Sequence, residues 1–151
     1  MTKQRIIFGL GSNLGAREFY LDEAVCELEN QLFLSNPKKS KIFKNPAMLL
    51  PNSPKEWDCE FFNIAFSADV DLEKFPPQKI LEIVKKTEKK LGRIERERWA
   101  PREIDIDILY IDGVKIHIED QLTIPHVGLL TRDFFLKTVE EIEPLILKKL
   151  K

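Results

Sequence analysis

The chain has 151 residues, of which 43% are hydrophobic and 32% charged, with a formal net charge of −1. That length and composition suit one folded domain over residues 1–151 with a real core. The balanced charge gives no global field to draw the protein onto nucleic acid or an anionic membrane, so any anion site must be local. Cys26 and Cys59 have neither metal-ligand nor disulfide-framework spacing. Neither a signal peptide nor an apolar run of membrane-spanning length stands out, and a cytoplasmic protein with reduced thiols is expected.

In chain order, the apolar run from Arg5 to Leu10 predicts a buried strand. The glycine-rich stretch Gly9 to Gly15 lacks both the dinucleotide fingerprint and the P-loop Gly-Lys-Ser/Thr, and is read as a strand-to-helix turn. Leu21, Ala24, Val25, Leu28 and Leu32 recur at helical spacing and predict an amphipathic helix to about Phe33. Asn36-Pro37 reads as a break, Ser40 to Lys44 as a strand, and Pro46 to Glu60 as a long, functional or mobile loop. Phe61 to Val70 alternates as a strand, with Phe62, Ile64, Phe66 and Ala68 on one face and Phe61, Asn63 and Ala65 on the other. Pro76-Pro77 opens a second helix, with Ile80, Ile83, Val84, Thr87 and Leu91 as its buried stripe; Glu88 lies just off that stripe, beside core-facing Thr87, and Gly92 ends the helix. Ile104 to Ile111 is the next strand, and Asp112-Gly113 predicts a tight hairpin pairing Val114 to Ile118 back onto it. A last helix from about Thr131 to Glu141 closes at Pro144. The order β-α-β-β-α-β, with a hairpin extension and a C-terminal helix, is the ferredoxin-like α+β order, with two helices on one face of an antiparallel sheet.

Residues 93 to 108 concentrate the chemistry. Arg93, Arg96, Arg98 and Arg102 surround Trp99 and Pro101, and then Ile104, Ile106 and Ile108 alternate with Asp105 and Asp107. The alternation puts both carboxylates on one strand face, roughly 6.5–7 Å apart by strand rise, where they repel each other. Such a pair is either a solvated face or the seat of a cation. Carboxylates suit Mg²⁺, which fills its shell with water and phosphate oxygens, and the arginines upstream suit phosphate. Asn63 inside a strand needs hydrogen-bond partners. Phe61 and Phe134 are either core or site residues, and His126 after Pro125 either surface or site.

Several motifs share this order: Gly11-Ser12-Asn13-Leu14; Phe62-Asn63; Glu88 ahead of Gly92-Arg93; Arg98-Trp99-Ala100-Pro101-Arg102 running into Asp105-Ile106-Asp107-Ile108; Pro125-His126; and Arg132 with Phe134 and Phe135. Together they resemble the 6-hydroxymethyl-7,8-dihydropterin pyrophosphokinase family of folate biosynthesis over nearly the whole chain. The resemblance implies transfer of pyrophosphate from MgATP to the hydroxymethyl group of the pterin, releasing AMP. It implies Asp105 and Asp107 as ligands of two Mg²⁺ ions, and Arg93 and Arg102 on the phosphates, with Arg96 or Arg98 assisting. Glu88, Thr123, His126 and Arg132 match positions that hold ATP, and Ile108 the backbone that meets adenine. Asn63 matches the reader of the pterin amide edge, Phe61 and Phe134 the aromatics around its ring, and Trp99 the catalytic-loop tryptophan. Asn45 stands where the family often has Thr, at a pterin contact. ATP and the pterin are the implied partners, without nucleic acid or membrane, and with fusion to other folate enzymes known in the family. Trp57 and Trp99 fall in the two irregular segments and would report lid closure. The rival readings are a single-strand RNA binder of the same topology and a non-catalytic nucleotide sensor. The first needs aromatic residues and basic charge where this chain has two aspartates.

Overall fold

The computed structural model describes residues 3–46, 49–94, 96 and 100–151. Lys3–Ser12 form β1, Arg17–Leu32 α1, Ser35–Lys39 β2, Phe43–Asn45 β3 and Phe61–Asp71 β4. Pro77–Lys90 form α2, Asp105–Ile111 β5, Ile116–Ile118 β6, Leu122–Ile124 β7, Asp133–Ile142 α3 and Pro144–Leu150 α4. The main sheet runs β2-β4-β1-β5, entirely antiparallel, with β3 sharing the β4 edge with β2. This is the ferredoxin-like α+β arrangement expected from the order of elements.

Period decides what each face buries. Ile6, Phe8, Leu10, Ile64, Phe66, Ala68, Ile106 and Ile108 point to one side, where they meet Leu21, Ala24, Leu28, Ile80 and Val84 of α1 and α2. The opposite side is covered over half its length. Ile7, Ala65 and Leu109 pack there against Phe135, Val139 and Ile142 of α3 and Leu147 of α4. The helix stops follow local chemistry: Pro77 takes the first turn of α2, and Gly92, at φ 99°, adopts a left-handed conformation after it.

Four expectations are corrected. Ser40 to Lys44 is not one strand. Ser40 N–H donates to Ala65 O at 3.0 Å, while its hydroxyl accepts from Ala65 N–H at 2.9 Å. The side chain thus stands in for a backbone carbonyl and splits the edge into β2 and β3. Asn36-Pro37 lies within β2, at an irregular edge position where a missing donor faces no partner strand. The stretch Val114 to Ile118 does not return to β5. Asp112-Gly113 makes its turn, but Asp112 N–H donates to Arg5 O, and His126 N–H takes Leu109 O at 2.8 Å. With that position on the β5 edge taken, Ile116–Ile118 pairs with Leu122–Ile124 instead. Pro144 does not merely end the C-terminal helix; it opens a second one, α4.

Candidate active site

Three adjacent strands bring the expected residues to the uncovered half of the sheet. Gly9 of β1 sits opposite Asp107, and Gly11 sits opposite both Asp105 and Asn63. These glycines lie inside the strand rather than in a turn, which corrects the reading of the Gly9 to Gly15 stretch at its first half. Their role is close approach. A methyl on Gly9 would lie 2.7 Å from Phe135 Cε1, and one on Gly11 would lie 3.0 Å from Asn63 Oδ1. A period-2 pair of glycines facing a period-2 pair of aspartates was a sequence signal for this floor that residue-by-residue reading passed over.

Over the floor lies a cleft lined among others by Asn45, Phe61, Asn63, Arg102, Asp105, Asp107, Arg132 and Phe134. Asn63 is buried, and its Nδ2 donates to Phe43 O at 3.1 Å and to Asn45 Oδ1. A carbonyl partner fixes which end of the amide carries the hydrogens. The acceptor Oδ1 is thereby turned to the Gly11 floor of the cleft. Phe134 stacks edge-on against Phe135 at 4.5 Å, and Phe135 against His126 at 5.3 Å. Arg132 lays its stem on the Gly128 backbone, where a Cβ would lie 2.8 Å from Arg132 Cδ.

A second cleft lies on the far side of Asp107, lined by Lys85, Ile106, Ile108, Thr123, His126 and Val127. Asp107 lines both clefts. Thr123 Oγ1 pairs with His117 Nδ1 at 2.9 Å. His126 Nδ1 accepts from Gly128 N–H at 2.9 Å, so in the neutral ring the proton sits on Nε2, 3.8 Å from Asp107 Oδ1. Burial, then the nearby Arg132 charge, lowers the His126 pKa.

Charge is tightly coupled here. Glu88, which helical spacing sets just off the buried stripe, is itself buried, at 3% exposed. Its Oε2 accepts from Ile106 N–H at 2.8 Å and from Arg93 Nη1 at 2.6 Å. Arg93 Nη1 also reaches Asp105 Oδ1 at 3.0 Å, and Arg102 Nη1 reaches Asp105 Oδ2 at 3.4 Å. Burial raises the Glu88 pKa against the pull of these partners. Burial, then repulsion from Asp105 and Glu88, pushes Asp107 up to about 7. Arg96 forks onto Glu103 with both bonds at 2.7 Å. Arg98 and Trp99 lie outside the described residues.

Among the described residues no three His, Cys, Asp or Glu side chains are grouped to hold a metal by themselves. Two carboxylates side by side on one strand face, one of them destabilised as an anion, nevertheless fit Mg²⁺, which takes one or two protein carboxylates and completes its shell with water and phosphate.

The family model for 7,8-dihydro-6-hydroxymethylpterin-pyrophosphokinase (HPPK) matches residues 7–144. A 2-amino-4-hydroxy-6-hydroxymethyldihydropteridine pyrophosphokinase of Aquifex aeolicus is 39% identical over 142 residues, covering 94% of this chain and 82% of the relative. A folate synthesis bifunctional protein of Chlamydia caviae is 38% identical over 144 residues, covering 95% of this chain but 31% of the relative. The chain therefore spans about a third of that bifunctional relative's length. In fold, the chain is similar to wild-type Plasmodium falciparum HPPK-DHPS with pterin and p-hydroxybenzoate, at a TM-score of 0.62 and 15% identity, covering 95% of this chain and 40% of that one. No described helix is long and apolar enough to cross a membrane. With its model matched across nearly the whole chain and a relative of similar length at 39% identity, this protein belongs to the HPPK family.

Proposed function

We propose that this chain transfers a pyrophosphoryl group from ATP to the hydroxymethyl oxygen of 6-hydroxymethyl-7,8-dihydropterin. The observation that carries the reading is the meeting of two clefts at Asp107, one with apolar walls and the paired amides of Asn45 and Asn63, the other beside His126 and Lys85. The pterin hydroxyl oxygen attacks the β-phosphorus. The bond from that phosphorus to the α,β-bridging oxygen breaks, AMP leaves, and the hydroxyl proton passes to solvent. Little covalent chemistry is asked of the protein beyond positioning and charge neutralisation.

The chain's residues divide these tasks. Asn63 Oδ1 accepts from the pterin amide edge, with Asn45 orienting the Asn63 amide and Phe61 and Phe134 flanking the ring. Arg93 and Arg102, held at the cleft by Asp105, turn to the phosphates, as does Arg132. His126 and Thr123 border the nucleotide, and Ile108 borders the base. Glu88 holds Arg93 and the Ile106 amide, fixing the start of β5. By the family resemblance, Trp99 takes the part of the catalytic-loop tryptophan. Asp105 and Asp107 would hold two Mg²⁺ ions, which when bound neutralise phosphate charge and activate the attacking hydroxyl. One domain carries the activity, in the cytoplasm, alongside or fused to other folate-pathway enzymes as in the bifunctional relatives.

Incubation with ATP, the pterin and Mg²⁺, followed by chromatography, tests the reading. AMP and the pterin diphosphate should appear in equal amounts and only when both substrates are present. ADP as product, or turnover without pterin, would refute it.

A further inference from the structure

We infer that Asn13 is a positioning residue that pins the arginine-rich segment lining the pterin cleft to the long segment that leads into β4. The inference rests on the pyrophosphoryl-transfer reading above. Asn13 follows β1 directly and is 2% exposed. Among the described residues it makes three hydrogen bonds, all with backbone of distant segments. Its N–H donates to Arg102 O at 3.2 Å, and its Oδ1 accepts from Arg102 N–H at 2.8 Å. Its Nδ2 donates to Cys59 O at 3.3 Å. Cys59 lies two residues before β4, near the end of the long segment after β3, and Arg102 lies three residues before β5, in the arginine-rich segment.

The two bonds to Arg102 clasp that residue as a strand neighbour would. They fix its backbone on both sides of Cα, and so fix where its guanidinium starts from. That guanidinium contacts Asp105 and borders the pterin cleft. The third bond ties the same amide to the other segment. Movement at Cys59 is therefore felt at Arg102 through one rigid planar group. A buried amide that loses a backbone partner loses the bond and also leaves that partner's polar group unsatisfied, so the tie resists slack. Arg17 supplies a natural control. Its Nη1 donates to Glu60 O at 2.6 Å and its guanidinium lies 4.0 Å over the Phe62 ring, so it holds the same root of the long segment without touching Arg102.

Chemistry separates the two arms. Asn13→Asp keeps an acceptor for Arg102 N–H but cannot donate to Cys59 O. Asn13→Ala loses both side-chain bonds. The full chain and these variants, with Arg17→Ala, are compared by amide hydrogen exchange without ligands and by steady-state kinetics. Exchange at Arg102 and near Cys59 should both accelerate about 5- to 150-fold in Asn13→Ala, the range for a lost buried hydrogen bond. In Asn13→Asp only the Cys59 side should accelerate. Turnover should fall about 10-fold or more in Asn13→Ala, with KM for ATP nearly unchanged, less in Asn13→Asp, and not at all in Arg17→Ala. Unchanged Arg102 protection in a folded Asn13→Ala protein would overturn the inference. Equal kinetic losses in Asn13→Ala and Arg17→Ala would overturn it too, because loosening the segment root would then suffice. If the wild type transfers no pyrophosphate, the functional reading fails by itself, and the exchange pattern alone decides the pin.

Discussion

The two halves of one sheet face are built by opposite rules. Beneath α3, Ile7, Ala65 and Leu109 meet Phe135, Val139 and Ile142 in an ordinary apolar core. Two or four residues along the same strands, these positions become Gly9, at the boundary beneath Phe135 of α3, and then Gly11, Asn63, Asp105 and Asp107, which line the open cleft. The strands, their pairing and their pleat are shared by both halves. What differs is that the covered half hides apolar surface, while the open half holds repelling carboxylates and an amide with a free acceptor. Function here is a local departure from the packing rule, supported by the half that obeys it.

The comparison is broken most severely at the carboxylates. Asp105→Ala or Asp107→Ala should lower turnover on the order of 100-fold or more, the scale for removing one electrostatic stabiliser, with the fold intact because neither side chain enters the helix-side core. Circular dichroism together with the AMP assay checks this. Near-normal turnover at saturating Mg²⁺ in either variant would contradict it.

Next in size is Asn63→Ala, which should weaken pterin binding by about 1–3 kcal/mol, or roughly 5- to 150-fold, and ATP binding far less. Calorimetry with each ligand separates the two, and equal losses would point to general loosening of β4.

The glycines divide the halves more finely. Gly9→Ala drives a methyl into Phe135 and should cost about 1–3 kcal/mol of stability by overpacking. Gly11→Ala meets the end of the Asn63 side chain instead, so thermal melting should barely change while KM for the pterin rises. Equal melting losses in both would deny that the boundary runs between these two residues.

Arginine substitutions should show the smallest contrast. Arg102 contacts Asp105 at the cleft, whereas Arg96 is held by Glu103. Arg102→Ala should reduce kcat/KM for ATP about 10-fold, and Arg96→Ala only a few-fold, in keeping with a partly exposed ion pair. The reverse order in steady-state kinetics would mean that Arg96, once released from Glu103, is the main phosphate clamp.

The legible parts of this molecule were those with a local period. Asp105 and Asp107 stood out because alternation within five residues fixes a strand face, and the stripe of α1 is buried as its spacing implied. Partnerships across long sequence separations were not legible. Glu88 is buried because its carboxylate caps Ile106 N–H, 18 residues on, and helical spacing says nothing of that acceptor. The Asp112-Gly113 signal gave a real turn but not the pairing, because His126 had claimed Leu109 on that edge. Ser40 split a strand through one hydroxyl. The family resemblance supplied positions for Thr123 and Arg132 that no pattern of their own would have marked. It did not reveal the clasp of Asn13, which depends on two segments meeting in space.

The open half of the face carries, in Asp107, a carboxylate disfavoured as an anion. Thermal melting of the wild type and Asp107→Asn at pH 8 and pH 5 tests it most directly. The folded-state pKa of Asp107 is raised to about 7 from its ordinary 3.8. Between these values the folded protein keeps a proton that the unfolded chain has lost, so stability falls as pH rises. Without metal, Asp107→Asn should melt higher than the wild type at pH 8, and the gap should shrink at pH 5. Mg²⁺ with a non-hydrolysable ATP analogue should reverse the order at pH 8, because only the wild type gains the bound cation. Equal melting of the two proteins at pH 8 without metal, and equal stabilisation by the Mg²⁺–nucleotide, would contradict the account.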